Sequence, residues 1–413
     1  MIVAVVFFAV ISLTVILGTA PQVVRQINTV DNFRDSRESF AITQALNEDI
    51  VYRIKNNINV PSTVTINIGT ASSTATIVNT GSLTKQVIST GNDNNLFRKT
   101  KTDLVIGSGA SFHYGVQSGE GGFDLSNNTI VYGNVYSDGP VTGTGLVKGD
   151  VVSAGPNGLI DGIDIEGNAL AHTIKNSHID GDAYYATTIL NSTVGGTKYP
   201  GSPDQATSTM PIPDDQIAAM ESVAEAGGVI GCATSYTVSG GNLGPVKIPC
   251  NVTLDGNITL TGPVWVRGNI TTSNNANIRV SSTLGNQSIA IIADDPFNKN
   301  GSGIITISNN AVFYGSGDPA SYVILISGNT ASENSLTTKA INVNNNTVGD
   351  LLVYAPHGDI NMSNNTSVKE LTSYSMSMSN NATVQYQTGI ANLLFNYGPG
   401  GGFNITNWRE IPN

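Results

Sequence analysis

Four histidines (His113, His172, His178 and His357) and two cysteines (Cys232 and Cys250) are the side chains best suited to metal or nucleophilic chemistry in this chain of 413 residues. No histidine belongs to an HExxH element or lies near a cysteine in sequence, so no zinc site of ordinary ligand spacing can be built locally. His172 and His178 stand six apart and could meet on adjacent turns of a repeating structure; surface or turn positions are the simpler reading. The acidic neighbours Asp214-Asp215 and Asp294-Asp295 could supply acid and base groups. The first pair opens a helical segment, where carboxylates complement the dipole, and the second precedes Pro296, where Asp favours a turn. The glycine-rich stretch GSGASFHYGVQSGEGG lacks the following helix that would offer a phosphate its N-terminus. GxSxG, Walker and DxDxDG loops are absent from the sequence. We expect no catalytic residue, no metal and no cofactor.

The elements that would carry such residues split the chain in two. Met1 to Ala20 has no charged side chain. Twenty residues of helix rise about 30 Å, enough to cross a bilayer core. The run is apolar all round, so it suits lipid or like helices and not water. Val5, Phe7, Phe8, Ile11, Leu13, Val15 and Leu17 are its candidate membrane and helix-packing residues, with Pro21 as the bend. Beyond Pro21, Val23, Val24, Ile27, Val30, Phe33, Phe40, Ile42, Leu46, Ile50, Val51 and Ile54 recur at spacings of three and four, the period of an amphipathic helix. One helix is expected over residues 1–58. It bends near Pro21 because proline removes a backbone donor and clashes with the preceding turn. A cleaved signal peptide is the alternative, but a basic leading region is missing and the helical period runs on.

The remainder reads as β structure. Alternation at Val64, Ile66, Ile68, Ala75, Ile77, Val87 and Ile88 predicts a small antiparallel sheet over 59–103. A first solenoid region follows at 104–200, in short strands closed by Gly, Asp or Asn and not separated by helices. Residues 201–231 form a Pro- and Ser-rich linker and one short helix, with Asp214 as its N-cap, a buried stripe of Ile217, Met220, Val223 and Ala224, and Gly227-Gly228 as its stop. A second solenoid region is expected at 232–413. There, paired asparagines at Asn274-Asn275, Asn309-Asn310, Asn344-Asn345, Asn364-Asn365 and Asn380-Asn381 step by 35, 35, 20 and 16 residues. Such steps suit one or two turns of a β-helix, with amide ladders along the stack. Ile291, Ile292, Ile305, Ile307, Val323, Ile324, Leu325, Leu351, Leu352 and Val353 would fill its interior.

Charged residues are only 12% of the chain and the net charge is −11. No basic patch interleaved with aromatics is present, so nucleic-acid binding has no support. In an exported protein the pair Cys232 and Cys250 is expected to form a disulfide, worth about 3 kcal/mol in the chain-entropy model, with two buried thiols as the alternative. Asn-x-Ser/Thr sequons, such as those at Asn251, Asn257, Asn269 and Asn404, arise readily in so Asn- and Thr-rich a chain.

A long helix with a lipid-like first half, a proline near position 21 and an amphipathic second half resembles a mature type IV pilin. SFAITQALNEDIVYRIKNN (Ser39 to Asn57) is similar to the helix of PilX-type minor pilin-like proteins. SFHYGVQSGEGGFDLSNNTIVYGNVYSDG, YPGSPDQ, the SNNA repeats and GIANLLFNYGPGGGF are similar to large β-helical relatives predicted in candidate-phylum bacteria. One departure is Val5, where type IV pilins commonly carry glutamate. No processing motif with Gly before the hydrophobic run is visible.

The expected fold class is therefore mainly β: a pilin-like helical stem followed by a right-handed parallel β-helix. The resemblance implies a structural surface subunit. Its helix anchors in the membrane before assembly, then packs with identical or other pilin-like subunits in a filament. The body is displayed outside the cell, where adhesion to a surface glycan is an expected role. The alternative is a membrane-anchored β-helix that binds or cleaves polysaccharide. Arg53-Ile54-Lys55 is similar to a polygalacturonase triplet, but it lies on the stem and lacks the accompanying GHG or NTD. A row of exposed aromatics and acids on one face, drawn from Tyr184, Tyr185, Tyr314, Tyr354, Tyr374 and Tyr386, would favour that alternative. A face of Thr, Ser and Asn would not.

Overall fold

The structure, a computed structural model, describes all residues except 1, 56–59, 82–83, 107–109, 111, 388–389, 391–392, 396–402 and 413. It is mainly β with one long N-terminal helix. The chain divides into two compact units, residues 1–106 with 403–413, and residues 107–402. The C-terminal stretch assigned to a second solenoid region instead supplies a strand to the first unit.

In the first unit, helix α1 (Ile2–Lys55) continues through Pro21. Strands β1 (Thr63–Ile68), β2 (Ala71–Gly81), β3 (Thr84–Asp93) and β4 (Leu96–Ile106) form an antiparallel meander, and the C-terminal strand Phe403–Ile411 pairs with β4 from the other side. Leu46, Ile50, Val51 and Ile54 of α1 pack on Ala75, Val87 and Leu104 of the sheet. Beside that apolar stripe runs a polar one that the apolar periodicity does not reveal. Asp35, Ser39, Thr43 and Asn47, spaced four apart, are all buried. Asn47 donates to Thr100 Oγ1 at 3.3 Å and accepts from Thr102 Oγ1 at 2.7 Å, and Asn94 donates to Asp35 Oδ2 at 2.9 Å. Small side chains let helix and sheet approach so closely that a Cβ on Gly91 would stand 2.4 Å from the Ser39 carbonyl oxygen.

The second unit is a stack of chain turns joined by parallel pairing, with three short strands to a turn in its first part. Ile130–Tyr132, Val135–Ser137 and Val141–Gly143 are typical in length. The order of stacking departs from the sequence. From Val116 the chain climbs turn by turn to Lys198–Pro200. Residues 201–212 then return across the turns already made, and the chain restarts at Ser235–Leu243. From there it stacks back until Glu370–Met378 pairs in parallel with Val116–Leu125. The two expected solenoid regions are thus the two arms of a single stack, joined where Glu370–Met378 meets Val116–Leu125.

One inward column shows the continuity: Val246, Val264, Ile291, Leu325, Val353, Leu371, Val116, Val135, Val151, Ala169 and Ala183 follow in register. All are buried. The next position is Lys198, and Pro200 stands two residues on. At the other end Ile230 N–H donates to the Lys247 carbonyl at 2.9 Å, and Cys232 and Cys250 form a disulfide with Cα atoms 6.1 Å apart.

The aliphatic residues expected in one interior divide by strand parity. Ile291, Ile305, Ile307, Val323, Leu325, Leu351 and Val353 face inward. Ile292, Ile324 and Leu352 face the opposite way, into a second core with Trp265 and Tyr354. Helix α2 (Asp214–Ala226) covers that outer face with Ile217, Met220 and Ala224. Its first boundary residue is Pro213, not the expected Asp214 cap, and Val223 is only half-buried. The buried stripe takes in Gln216 and Glu221 instead.

Candidate functional site: an uncovered apolar helix

Among the described residues, the largest set of exposed apolar side chains lies on α1. Phe8 is 69% exposed and Leu17 62%, and Phe7, Ile11, Leu13 and Val15 are exposed as well. The Val5 side chain lies outside those described. The amphipathic stripe behaves as two segments. Ile42, Leu46, Ile50, Val51 and Ile54 are buried by the sheet, whereas Val23, Val24, Ile27, Val30 and Phe33 remain exposed. The sheet therefore grips only the final part of the helix. Thr14 and Thr19 donate their hydroxyls to the Val10 and Val15 carbonyls at 3.0 and 2.9 Å. Such back-bonding leaves these hydroxyl protons no need of water. The first charged residue is Arg25, and ion pairs start with Asp31–Arg34 at 3.7 Å. By length and composition the helix can cross a membrane.

On the second unit, the paired asparagines form one corner of the stack. Each of Asn309, Asn310, Asn345, Asn346, Asn364, Asn365, Asn380 and Asn381 has φ between 54° and 62°. Asn tolerates this left-handed conformation better than other residues with a Cβ. Side-chain amides link Asn380, Asn364, Asn345 and Asn309 at 3.1–3.2 Å. A second rank links Asn381, Asn365, Asn346, Asn310 and Asn275 at 3.0–3.3 Å. The register uses Asn345-Asn346, not the Asn344-Asn345 read from sequence. Asn127 also joins, donating to Asn380 Oδ1 at 3.3 Å. Its SNN triplet stands alone more than a hundred residues before the others, so only the triplet itself could have signalled it. A small buried residue follows each pair: Ala276, Ala311, Thr347, Thr366, Ala382 and Thr129.

Another face carries an outward column of Thr253, Thr271, Thr306, Asn342, Asn361, Ser377, Asp124 and Thr142 in continuous register. The aromatic candidates do not gather there. Tyr354 and Tyr185 are buried, Tyr314 lies under Arg279, and Tyr184 stacks on Tyr199 with ring centroids 4.6 Å apart. Tyr386 donates to the Phe112 carbonyl at 2.8 Å.

The candidate acids and histidines are placed separately. His172 pairs with Asp204 at 2.9 Å and His178 with Asp180 at 3.1 Å, so the two histidines are not brought together as a metal pair. His357 bridges Asp214 at 3.1 Å and Glu333 at 2.7 Å. The hydrogen bond to Asp214 raises the imidazole pKa and lowers that of the carboxyl. Asp294 pairs with Lys299 at 3.0 Å and Asp295 with Arg267 at 3.3 Å. Among the described residues no cluster of His, Cys, Asp or Glu could hold a metal ion. Among the buried carboxyls that sequence reasoning missed are Glu221 and Glu370. Neither has a local pattern that would mark it.

No family model matches this chain, and no curated protein matches it. Among solved structures, the competence-associated pilin ComZ from Thermus thermophilus is similar at 10% identity with a TM-score of 0.38, covering 91% of this chain and 97% of that one. A likeness that loose decides neither fold nor function.

Proposed function

We propose that this chain is a structural, non-catalytic subunit of the type IV pilin kind. Its apolar helix sits in the membrane before assembly and then packs among like helices in a filament. Its second unit, read as a right-handed parallel β-helix, is displayed outside the cell for adhesion. One observation carries the reading: a single helix is gripped by its own sheet over its last turns, while its described apolar side chains from Val6 to Phe33 stay exposed. Only lipid or other apolar helices satisfy such a surface. Handedness follows from the strong right-handed preference of parallel crossovers. The scattered aromatics and the Thr, Ser and Asn columns favour display over polysaccharide cleavage.

The test is Phe8→Arg. An arginine near the middle of the apolar run costs about 2.5–3.5 kcal/mol of insertion, roughly a hundredfold. The variant should leave the membrane fraction and the fibres while its disulfide and β-type circular dichroism remain. Normal retention and incorporation would overturn the reading.

A further inference from the structure

Most of the Asn-x-Ser/Thr sites in this chain are closed by the fold. At Asn127, Asn345, Asn364, Asn365 and Asn381 the carboxamide nitrogen is engaged in the asparagine ladders, and Asn191 donates its own to Asn176 at 3.4 Å. At Asn251, Asn269, Asn300 and Asn361 the carboxamide oxygen is held instead. Its donors are the Asn269 and Ile304 N–H groups and the Thr330 and Ser377 hydroxyls, at 2.8–3.3 Å. Asn286 is exposed, but the hydroxyl of its site, Ser288, is buried and accepts the Tyr322 N–H at 3.0 Å. The Asn404 side chain lies outside those described. Asn257 differs. It is exposed, and neither its carboxamide nor the hydroxyl of half-buried Thr259 has a hydrogen-bond partner among the described residues. Gly256, at φ 69°, turns the chain into it. The neighbouring turn places Gly240 and Gly241 alongside, and a Cβ on Gly240 would stand 3.0 Å from the Asn257 carbonyl oxygen. No side chain from that turn covers the carboxamide. A cleft of about 320 Å³, lined by Asn257, Thr259, Asn277 and Arg279, opens beside it. Its size and polar walls suit a single sugar ring.

We propose that Asn257 is the N-glycosylation site of the folded second unit. The donor class is a saccharide carried on a polyisoprenyl pyrophosphate. The Asn257 carboxamide nitrogen bonds to the anomeric carbon and gives up one proton to the transferase. The bond from that carbon to the pyrophosphate oxygen breaks, and its electron pair leaves with the lipid pyrophosphate. Nothing is oxidised or reduced. The location gives the sugar a role. Strand Ser235–Leu243 pairs on one side with Asn251–Leu260 and has no strand on its other side among the described residues. It holds no charged residue and no proline to guard that edge. A bulky, solvated saccharide on the next turn shields it. The proposal rests on display of this unit outside the cell, where such saccharides are attached.

The test offers the full chain, folded in detergent, to an oligosaccharide transferase with its lipid-pyrophosphate-linked saccharide. The enzyme is one that modifies both Asn251 and Asn257 in the reduced tryptic peptide of residues 248–267. Sites are located by mass spectrometry. The folded chain should gain a saccharide at Asn257, with Asn251 and the ladder asparagines modified at least tenfold less. Asn257→Gln and Thr259→Val should abolish the gain, and Thr259→Ser should keep it. Absence of transfer to Asn257 in the folded chain, or equal transfer to Asn251, overturns the proposal. The assay needs neither membrane retention nor assembly, so it can fail while Phe8→Arg behaves as expected, and the reverse.

Discussion

Glu370 is fully buried, with Thr372 donating to Oε1 and Oε2 left without a partner. Burial holds its pKa well above the usual carboxylate range. The sign of its effect follows. The folded state keeps the proton that the unfolded chain gives up near pH 4.5, so this group costs stability increasingly as pH rises. Glu370→Gln should be nearly neutral at pH 4 and increasingly stabilising as pH rises above the unfolded carboxyl's range. Urea unfolding at several pH values checks this, and a gain independent of pH would contradict it. Asn47 is the opposite kind of buried polar residue, because both ends of its amide are used. Asn47→Leu should destabilise the first unit by about 2–3 kcal/mol, since Thr100 and Thr102 lose their partner in a dry seam. At this scale the sequence was silent. A buried carboxyl or amide has no local signature, and Ser39, Thr43 and Asn47 look like the polar side of a helix until the sheet that covers them is known.

The elements were legible where the physics is local. The apolar run, the strand alternation of β1 to β3, the short α2 and the repeated asparagine corners all rest on neighbours along the chain. The Cys232–Cys250 pair was readable from count and spacing. What could not be read was pairing across long separations: Phe403–Ile411 against β4, and Glu370–Met378 against Val116–Leu125. No period links strands some 250 or 300 residues apart. The ends of the stack show how elements are finished. One end is tied by the disulfide, and reduction should lower stability by about 3 kcal/mol or less. The other presents Lys198 at an inward position and Pro200 beside it, two devices that discourage strand addition. Lys198→Val with Pro200→Val should turn this end into a docking edge. Sedimentation of detergent-solubilised protein should then show end-to-end dimers that the unmutated chain does not form.

At the scale of the whole molecule, residues 107–402 are an insertion between two strands of another unit. Ile106 and Phe403 are directly opposite one another in the antiparallel pair. That geometry is the base of a hairpin, which a two-residue loop can close. Replacing 107–402 by Asn-Gly should leave α1 and the five-stranded sheet folded. Circular dichroism and cooperative thermal unfolding in detergent would show it, and a molten spectrum would mean that the sheet needs the insertion to form. The Asn ladders and the buried inward column make the inserted stack equally self-sufficient in its bonding.

The two limbs of the stack meet at mid-height, where Val116–Leu125 pairs with Glu370–Met378. Both tips are therefore remote from that junction. Duplication or loss of a repeat near either tip would lengthen or shorten one limb without altering the junction strands or the limb opposite. Related molecules could then vary in reach by tens of ångströms, at about 4.8 Å per added layer, while keeping one unchanged root.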